Sequence, residues 1–169
     1  MRTKARIVAV VLGASLLCVF GSLAQQTKPT APPSAQETTM ELHARGAFDV
    51  KLVPAADKVG DIARMTVDKQ YHGDLEATAK GEMLSVGSGT DGSGVYVAIE
   101  QVQGTLGGRT GGFALHHTGI MTRGTPHLAI TIAPDSGTGQ LAGISGRLDI
   151  KIESGKHSYD LVYTLPKAP

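Results

Sequence analysis

Apolar and polar residues alternate with a period of two along much of the chain. The segment LHARGAFDVKLVP (42–54) carries apolar or small residues at every even position, and GRLDIKIESG (146–155) sets Leu148, Ile150 and Ile152 between charged residues. Because successive side chains of a strand point to opposite faces, this period indicates half-buried β-strands. A helix would scatter the same charges around its circumference.

The segments between these two strands are also bounded by Gly, Pro, Asp or Ser. The joints HGD, GTDGSG, LGGRTG, PDSGTG and SGKH are short and rich in turn residues, which favours hairpins between consecutive strands. We therefore predict an all-β fold, a closed antiparallel β-barrel of about eight strands in meander order. An open two-sheet sandwich is the alternative, and it usually needs longer crossings between its sheets.

The first residues predict an exported protein. Three cations within the first six residues precede an apolar run at 7–20, and small residues follow up to Ala24. This pattern is typical of a signal peptide (1–24), cleaved near Ala24, and the run is too short for a stable membrane anchor. Residues 25–39 are rich in Pro, Thr and Ala, which predicts a disordered spacer. We expect one β-barrel domain over 40–166, in the periplasm or the medium.

The composition argues against several classes of function. Cys18, the single cysteine, lies within the predicted signal peptide, so the mature chain would have no thiol for catalysis, disulfides or metal binding. The formal net charge is +1 and there is no basic run, so nothing indicates a nucleic-acid partner. The six histidines lack the spacing of metal ligands, and we expect neither a metal site nor a cofactor.

The neighbouring His116 and His117 raise the question of a site. On a strand they point to opposite faces, so they cannot both reach one ligand. His117 shares its face with Phe113, Leu115 and Met121, and we predict that it points into the barrel. The common role of such a residue is a neutral core histidine bonded to a neighbouring strand, and the alternative is a role in binding.

The inner face of the strand SGVYVAIEQVQGTL is not decided by its period alone. We favour the face that carries Tyr96 and Glu100, because Gln101 and Gln103 on the other face are easily solvated. A carboxylate in the interior would be paired, protonated or functional. Lys69 would be its natural partner if it also pointed inward, but we expect Lys69 at the surface, where lysines are commonly found.

In the last strand, KHSYDLVYTL, we expect Tyr159 and Tyr163 to point inward as core residues with one hydrogen bond each. Glu100 and His117 are the candidates for any catalytic role, which remains unknown from the sequence. The candidate ligand-binding residues on the inner walls are Tyr96, Glu100, Leu115, His117, Tyr159 and Tyr163.

Three runs carry a resemblance to a known family: DKQYHGDLEATAKGEM, YVAIEQVQGTLGGRTGGFALHHTG and SGTGQLAGISG. In their order and spacing, residues 42–165 resemble the bacterial family called domain of unknown function 3224. The resemblance implies a barrel like that of allene oxide cyclase, in agreement with the strand pattern. It implies no activity and no functional residues, because none is established for that family, and a shared fold does not determine function.

We expect the protein to bind a small apolar or mixed ligand inside the barrel. One alternative is an isomerase-like or cyclase-like enzyme, with Glu100 as base or charge stabiliser, His117 as proton donor and Tyr96 or Tyr159 as positioning group. The other is a structural envelope domain, which would expose apolar surface. The predicted outward positions are largely charged, Thr or Gln, and the sequence leaves a homo-oligomer open.

Overall fold

A computed structural model describes residues 40–57 and 59–166 of the chain. The predicted signal peptide (1–24) and spacer (25–39) lie outside these residues. In the described part every element is a β-strand, so it contains no helix that could cross a membrane. The strands are β1 (Leu42–Pro54), β2 (Ala63–Gly73), β3 (Leu75–Gly87), β4 (Gly94–Leu106), β5 (Arg109–Thr122), β6 (Thr125–Ile132), β7 (Thr138–Gly139), β8 (Ser145–Glu153) and β9 (Lys156–Thr164).

Eight of these strands close into an antiparallel barrel in meander order. From β1 to β6 each strand pairs with the next, and β6 then pairs with β8, β8 with β9, and β9 with β1. The two-residue strand β7 lies outside this circle and pairs with β5 at Gly111 and Gly112. The predicted closed barrel is confirmed, and the sandwich alternative is wrong because β4 and β5 pair along their whole length.

Turn chemistry explains three of the hairpins. The joints at 107–108, 123–124 and 154–155 each turn through two residues that both have positive φ. Turns of this kind match the right-handed twist of the strands, and Gly adopts them without a steric penalty. In two of the three joints the first residue is Arg123 or Ser154, so only the second position is glycine.

The closure is least regular between β6 and β8. Among the described residues, Thr131 and Arg147 form the only backbone pair that joins these two strands. The connecting segment at 133–144 compensates by packing Leu141 and Ile144 into the core, where both are buried. This seam is therefore held mainly by side chains rather than by a hydrogen-bonded ladder.

The two ends of the barrel interior differ in packing. At one end, which we call the packed end, the inward side chains are buried together, including Leu75, Leu106, Phe113 and Leu161. At the opposite, open end, inward-facing apolar side chains remain exposed to solvent. These are Leu52, Met121, Leu128 and Ile152, with exposed fractions of 47%, 40%, 41% and 62%.

The outer wall around β4 is apolar, contrary to the expectation of largely polar outward positions. Val95, Val97 and Ile99 point outward from β4 and are exposed, as are Leu84 on β3 and Ile120 on β5. The register places Leu84 beside Val97 and Val95 beside Ile120, so these side chains form one patch. The choice of inner face for β4 implied this exposure, since its two faces are both rich in apolar residues.

Gly81 on β3 allows the strands to approach closely next to Glu100. The two residues are paired across β3 and β4, and a Cβ atom at Gly81 would lie 2.0 Å from the carbonyl oxygen of Ile99. We expect Gly81→Ala to lower the free energy of unfolding by about 1–3 kcal/mol, because backbone atoms must move to admit the methyl group. Urea denaturation measures this change.

Gly87 provides the matched control, because it lies on the same strand and has no atom within 4 Å of the added Cβ position. Gly87→Ala should leave the free energy of unfolding nearly unchanged. Equal effects of the two substitutions would contradict the close approach at Gly81.

Candidate functional site

Three ionisable side chains meet inside the barrel. They are Lys69 on β2, Glu100 on β4 and His117 on β5, with exposed fractions of 6%, 1% and 5%. The Nζ atom of Lys69 donates a hydrogen bond of 2.6 Å to Oε1 of Glu100. The Nε2 atom of His117 lies 3.1 Å from the same oxygen. The predicted inward directions of Glu100 and His117 are confirmed, and the two residues do meet.

The expectation that Lys69 lies at the surface is wrong. Its Nζ atom lies 4.9 Å from the centre of the Phe48 ring and 5.8 Å from that of Tyr71. These aromatic faces and the carboxylate of Glu100 replace the water that a surface lysine would keep. A preference of lysine for the surface is an average, and the carboxylate two strands away on the same inner face overrides it here.

Glu100 is held in its charged form. Burial raises the pKa of the Glu100 carboxyl, but the imidazole of His117 and the ammonium of Lys69 together outweigh burial, and the pKa lies below its ordinary value. The second oxygen, Oε2, accepts a long hydrogen bond of 3.4 Å from the Tyr71 hydroxyl. Burial, followed by the charge of Glu100, raises the pKa of Tyr71, so the phenol stays protonated and able to donate.

His117 contributes a buried polar atom without a partner. Although Nε2 is close to Glu100, the contact lacks the geometry of a hydrogen bond, and the described residues offer Nε2 no other partner. The expected contact with the neighbouring strand is present as a close approach to Glu100 on β4, without the geometry of a hydrogen bond. Its neighbour His116 points outward, as predicted, and contacts Thr131 there. A buried polar atom left unpaired typically costs about 1–3 kcal/mol.

A cavity of about 180 Å³ lies at the open end, and Lys69, Glu100 and His117 form part of its wall. We call it the inner cavity. Apart from the three ionisable groups, its wall is mainly apolar and aromatic, which is typical of small-molecule sites with a few polar anchors. The remaining lining residues are Phe48, Val50, Leu52, Val67, Met83, Tyr96, Ala98, Leu128, Ile150, Ile152 and His157.

A second cavity, of about 360 Å³, lies at the rim of the open end, and we call it the mouth cavity. The ends of β3, β4, β5 and β6 form its wall, which is apolar apart from Ser85 and His127. Met83, Tyr96 and Leu128 line both cavities. The inner and mouth cavities therefore adjoin at these three side chains.

Tyr96 and Gly119 shape the place where the two cavities adjoin. They are paired across β4 and β5, and a Cβ atom at Gly119 would lie 1.9 Å from the Tyr96 ring. The missing side chain at Gly119 thus lets the ring lie against the barrel wall. Burial, followed by the charge of Glu100, raises the pKa of Tyr96, so its hydroxyl remains neutral.

The other three candidate ligand-binding residues are buried in the core. Leu115 is completely buried in the core. The hydroxyl of Tyr159 accepts a hydrogen bond of 3.0 Å from the Leu75 amide and donates one of 3.2 Å to the His72 carbonyl. Tyr163 is buried in the same core. None of Leu115, Tyr159 and Tyr163 lines the inner or the mouth cavity.

Sequence reasoning missed the residues that connect the two cavities. Met83 and Leu128 carry no chemical signal of a site, and Gly119 carries none without knowledge of its partner strand. Lys69 carried a usable signal, because it shares the period-two face of Val67 and Tyr71 in the segment ARMTVDKQYHG. Giving that face more weight than the average exposure of lysine would have placed Lys69 inside.

The comparisons with known proteins agree on one family. Residues 44–163 match the model of a family described as protein of unknown function, DUF3224. A crystal structure of a DUF3224 protein of unknown function from Shewanella oneidensis MR-1 is 44% identical to this chain, with a TM-score of 0.71. The match covers 76% of this chain and 100% of that one. A search of curated proteins finds no significant match.

The ion pair between Lys69 and Glu100 predicts strong coupling between the two positions. Lys69→Met or Glu100→Gln alone leaves one charge buried without its partner, and we expect each to lower the free energy of unfolding by about 3–5 kcal/mol. The double variant should lose much less than the sum of the two single losses. Urea denaturation of the three variants and the wild type completes this double-mutant cycle.

The exposed pair of Asp68 and Lys80 is the matched control, because it joins the same strand β2 to β3 at 3.0 Å. Its coupling energy should be below about 1 kcal/mol, as expected for ion pairs in water. Additive losses at Lys69 and Glu100 would show that the buried pair is not a unit.

The lowered pKa of Glu100 predicts a dependence of stability on pH. The folded state binds this proton more weakly than the unfolded chain does, so the charged carboxylate stabilises the fold above the unfolded value of about 4.3. This contribution is lost as the pH falls through the lower, folded-state pKa. The stability advantage of the wild type over Glu100→Gln should therefore shrink as the pH falls from about 5 through the unfolded value and below it. An advantage that stays constant over that range would contradict the shift.

Proposed function

The chain belongs to the DUF3224 family of proteins of unknown function, and from the geometry of its barrel we propose that it binds a small, partly apolar molecule in the open end. The inner cavity receives the polar part of this molecule, and the mouth cavity receives its apolar part. We further propose that the protein acts outside the cytoplasm, on the basis of its N-terminal signal-like sequence.

The observation that carries the proposal is the exposure of inward-facing apolar side chains at the open end. Leu52, Met121, Leu128 and Ile152 occupy interior positions of their strands, yet each exposes at least 40% of its surface. At the packed end, the corresponding positions are filled and buried. A ligand with an apolar body would remove the exposed surface from water, which is favourable in proportion to its area.

The three ionisable side chains in the barrel supply the polar anchors that such a site requires. Lys69, Glu100 and His117 lie in the wall of the inner cavity, and Nε2 of His117 has no hydrogen-bond partner. A ligand that bonds to this atom would remove the cost of leaving it unpaired. The polar groups are also held in place before binding, because the strands of a closed barrel and the ion pair constrain them.

Acid–base catalysis is the second candidate, favoured by the 3.1 Å separation of Glu100 and His117 beside one cavity. In that role the carboxylate would hold the imidazole, and the imidazole would exchange a proton with the bound molecule. Binding alone requires no chemical change in the bound molecule. A change in the mass of the bound molecule after incubation would identify catalysis in addition to binding.

Filling the inner cavity should abolish binding. Ala98 lines this cavity and is paired with His117 in the strand register, so Ala98→Phe fills the space without replacing any of the three ionisable side chains. We expect saturable binding of the neutral fluorescent probe N-phenyl-1-naphthylamine to the wild type and a loss of at least about tenfold in affinity for Ala98→Phe. Native mass spectrometry of the purified protein provides the second readout, as an added mass that disappears on denaturation.

Val97→Phe is the matched control, since Val97 neighbours Ala98 but points outward and is exposed. It should bind the probe as the wild type does. Absence of saturable binding to the wild type, or equal binding by Ala98→Phe and Val97→Phe, would contradict a ligand site in the barrel.

A further inference from the structure

We propose that the ligand is an amphipathic monoanion, an unbranched molecule with one carboxylate, whose carboxylate binds His117 and Lys69 while its alkyl chain extends into the mouth cavity. This inference rests on the proposed function and specifies the class of ligand. The evidence comes from the charges around the two cavities, the count of hydrogen-bond donors and the order of polar and apolar wall.

The charges around the two cavities favour an anion over a cation. Among the described residues that line them, the basic side chains are Lys69, His117, His127 and His157, and Glu100 is the only acidic one. The charge of Glu100 is already compensated by Lys69 at 2.6 Å. An ammonium head group would therefore meet no free carboxylate, and its N–H donors would face the donors of Lys69, His117 and Tyr96 in the same wall.

The count of donors favours a carboxylate over a neutral polar group. An ammonium carries three N–H donors, and Lys69 has one hydrogen bond among the described residues, to Glu100. His117 adds the unpartnered Nε2, and Tyr96 adds a hydroxyl in the same wall. A carboxylate is an acceptor with two oxygens and no donor, so it matches this surplus. Hydrogen bonds that involve a charged group are also the stronger class.

Polar side chains lie at the inner cavity and apolar ones line the way to the mouth cavity, and this order determines which end of the ligand enters first. His117 and Lys69 both converge on Oε1 of Glu100, so one small head group can reach both of them. From there the wall becomes apolar through Met83, Tyr96 and Leu128 into the mouth cavity. The head group therefore enters first, and the alkyl chain follows toward solvent.

A series of three ligands with the same chain length tests this proposal. Octanoate, 1-octanol and octylamine are titrated at pH 7.5 against the protein loaded with N-phenyl-1-naphthylamine, all below their aggregation concentrations. We expect octanoate to displace the probe at a concentration at least about tenfold lower than 1-octanol, because it adds a charge-assisted hydrogen bond. Octylamine should be the weakest of the three.

Variants at the two neighbouring histidines assign the effect to the head group. His117→Phe should bring octanoate and 1-octanol to about equal strength, because it removes a partner of the carboxylate and keeps the apolar wall. His116→Phe is the control, since His116 lies next to it on the outer face. It should preserve the preference for octanoate.

The outcomes separate this inference from the proposed function. If 1-octanol or octylamine binds as well as octanoate to the wild type, the barrel binds ligands but does not select an anion, and the inference is wrong. The same conclusion follows if folded His117→Phe keeps the full preference for octanoate. If none of the three displaces the probe, the inference fails, and if the probe itself does not bind saturably, the proposed function fails with it.

Discussion

The buried carboxylate of Glu100 is the constraint on which the open end of the barrel depends. Desolvation would favour the neutral form of a lone carboxyl at this position. The charged form persists because Lys69 and His117 approach the same oxygen. The three residues come from β2, β4 and β5, which with β3 are consecutive neighbours in the wall, and their side chains point inward at nearby register positions. Gly81 belongs to the same constraint, because its missing side chain leaves space beside Glu100. Buried charge and close strand packing are thus coupled at one position of the barrel.

The fold could be predicted from the chain because the signals that determine it are local. Period two in β1 and β8 specifies strands with two different faces, and short glycine-containing joints specify antiparallel neighbours. Consecutive hairpins of this kind leave closure as the natural way to remove the two free edges. The short strand β7 escaped this reasoning, because two residues are too few to show a period.

The candidate site was predicted only in part, because it depends on register between strands. Parity alone was enough to turn Glu100 and His117 inward, and the structure brings them to 3.1 Å. Parity cannot distinguish the two ends of the barrel. It therefore groups Tyr159 and Tyr163 with Tyr96, although both lie in the packed core. For Lys69 the face that it shares with Tyr71 predicts the interior, whereas the average preference of lysine predicts the surface, and the structure follows the face.

The two ends of the barrel differ in what they contribute to stability. The packed end buries the large aromatic and aliphatic side chains that stabilise the fold, and its tyrosine hydroxyl at Tyr159 is fully engaged with backbone groups. The open end keeps inward apolar side chains in water and a polar atom of His117 without a partner, and both features lower stability. Under the proposed function, both costs are relieved by the same event, the entry of one molecule with an apolar body and an accepting head group. The proposed site requires this order, with polar groups at the inner cavity and an apolar wall between them and solvent, whereas a packing defect does not require it.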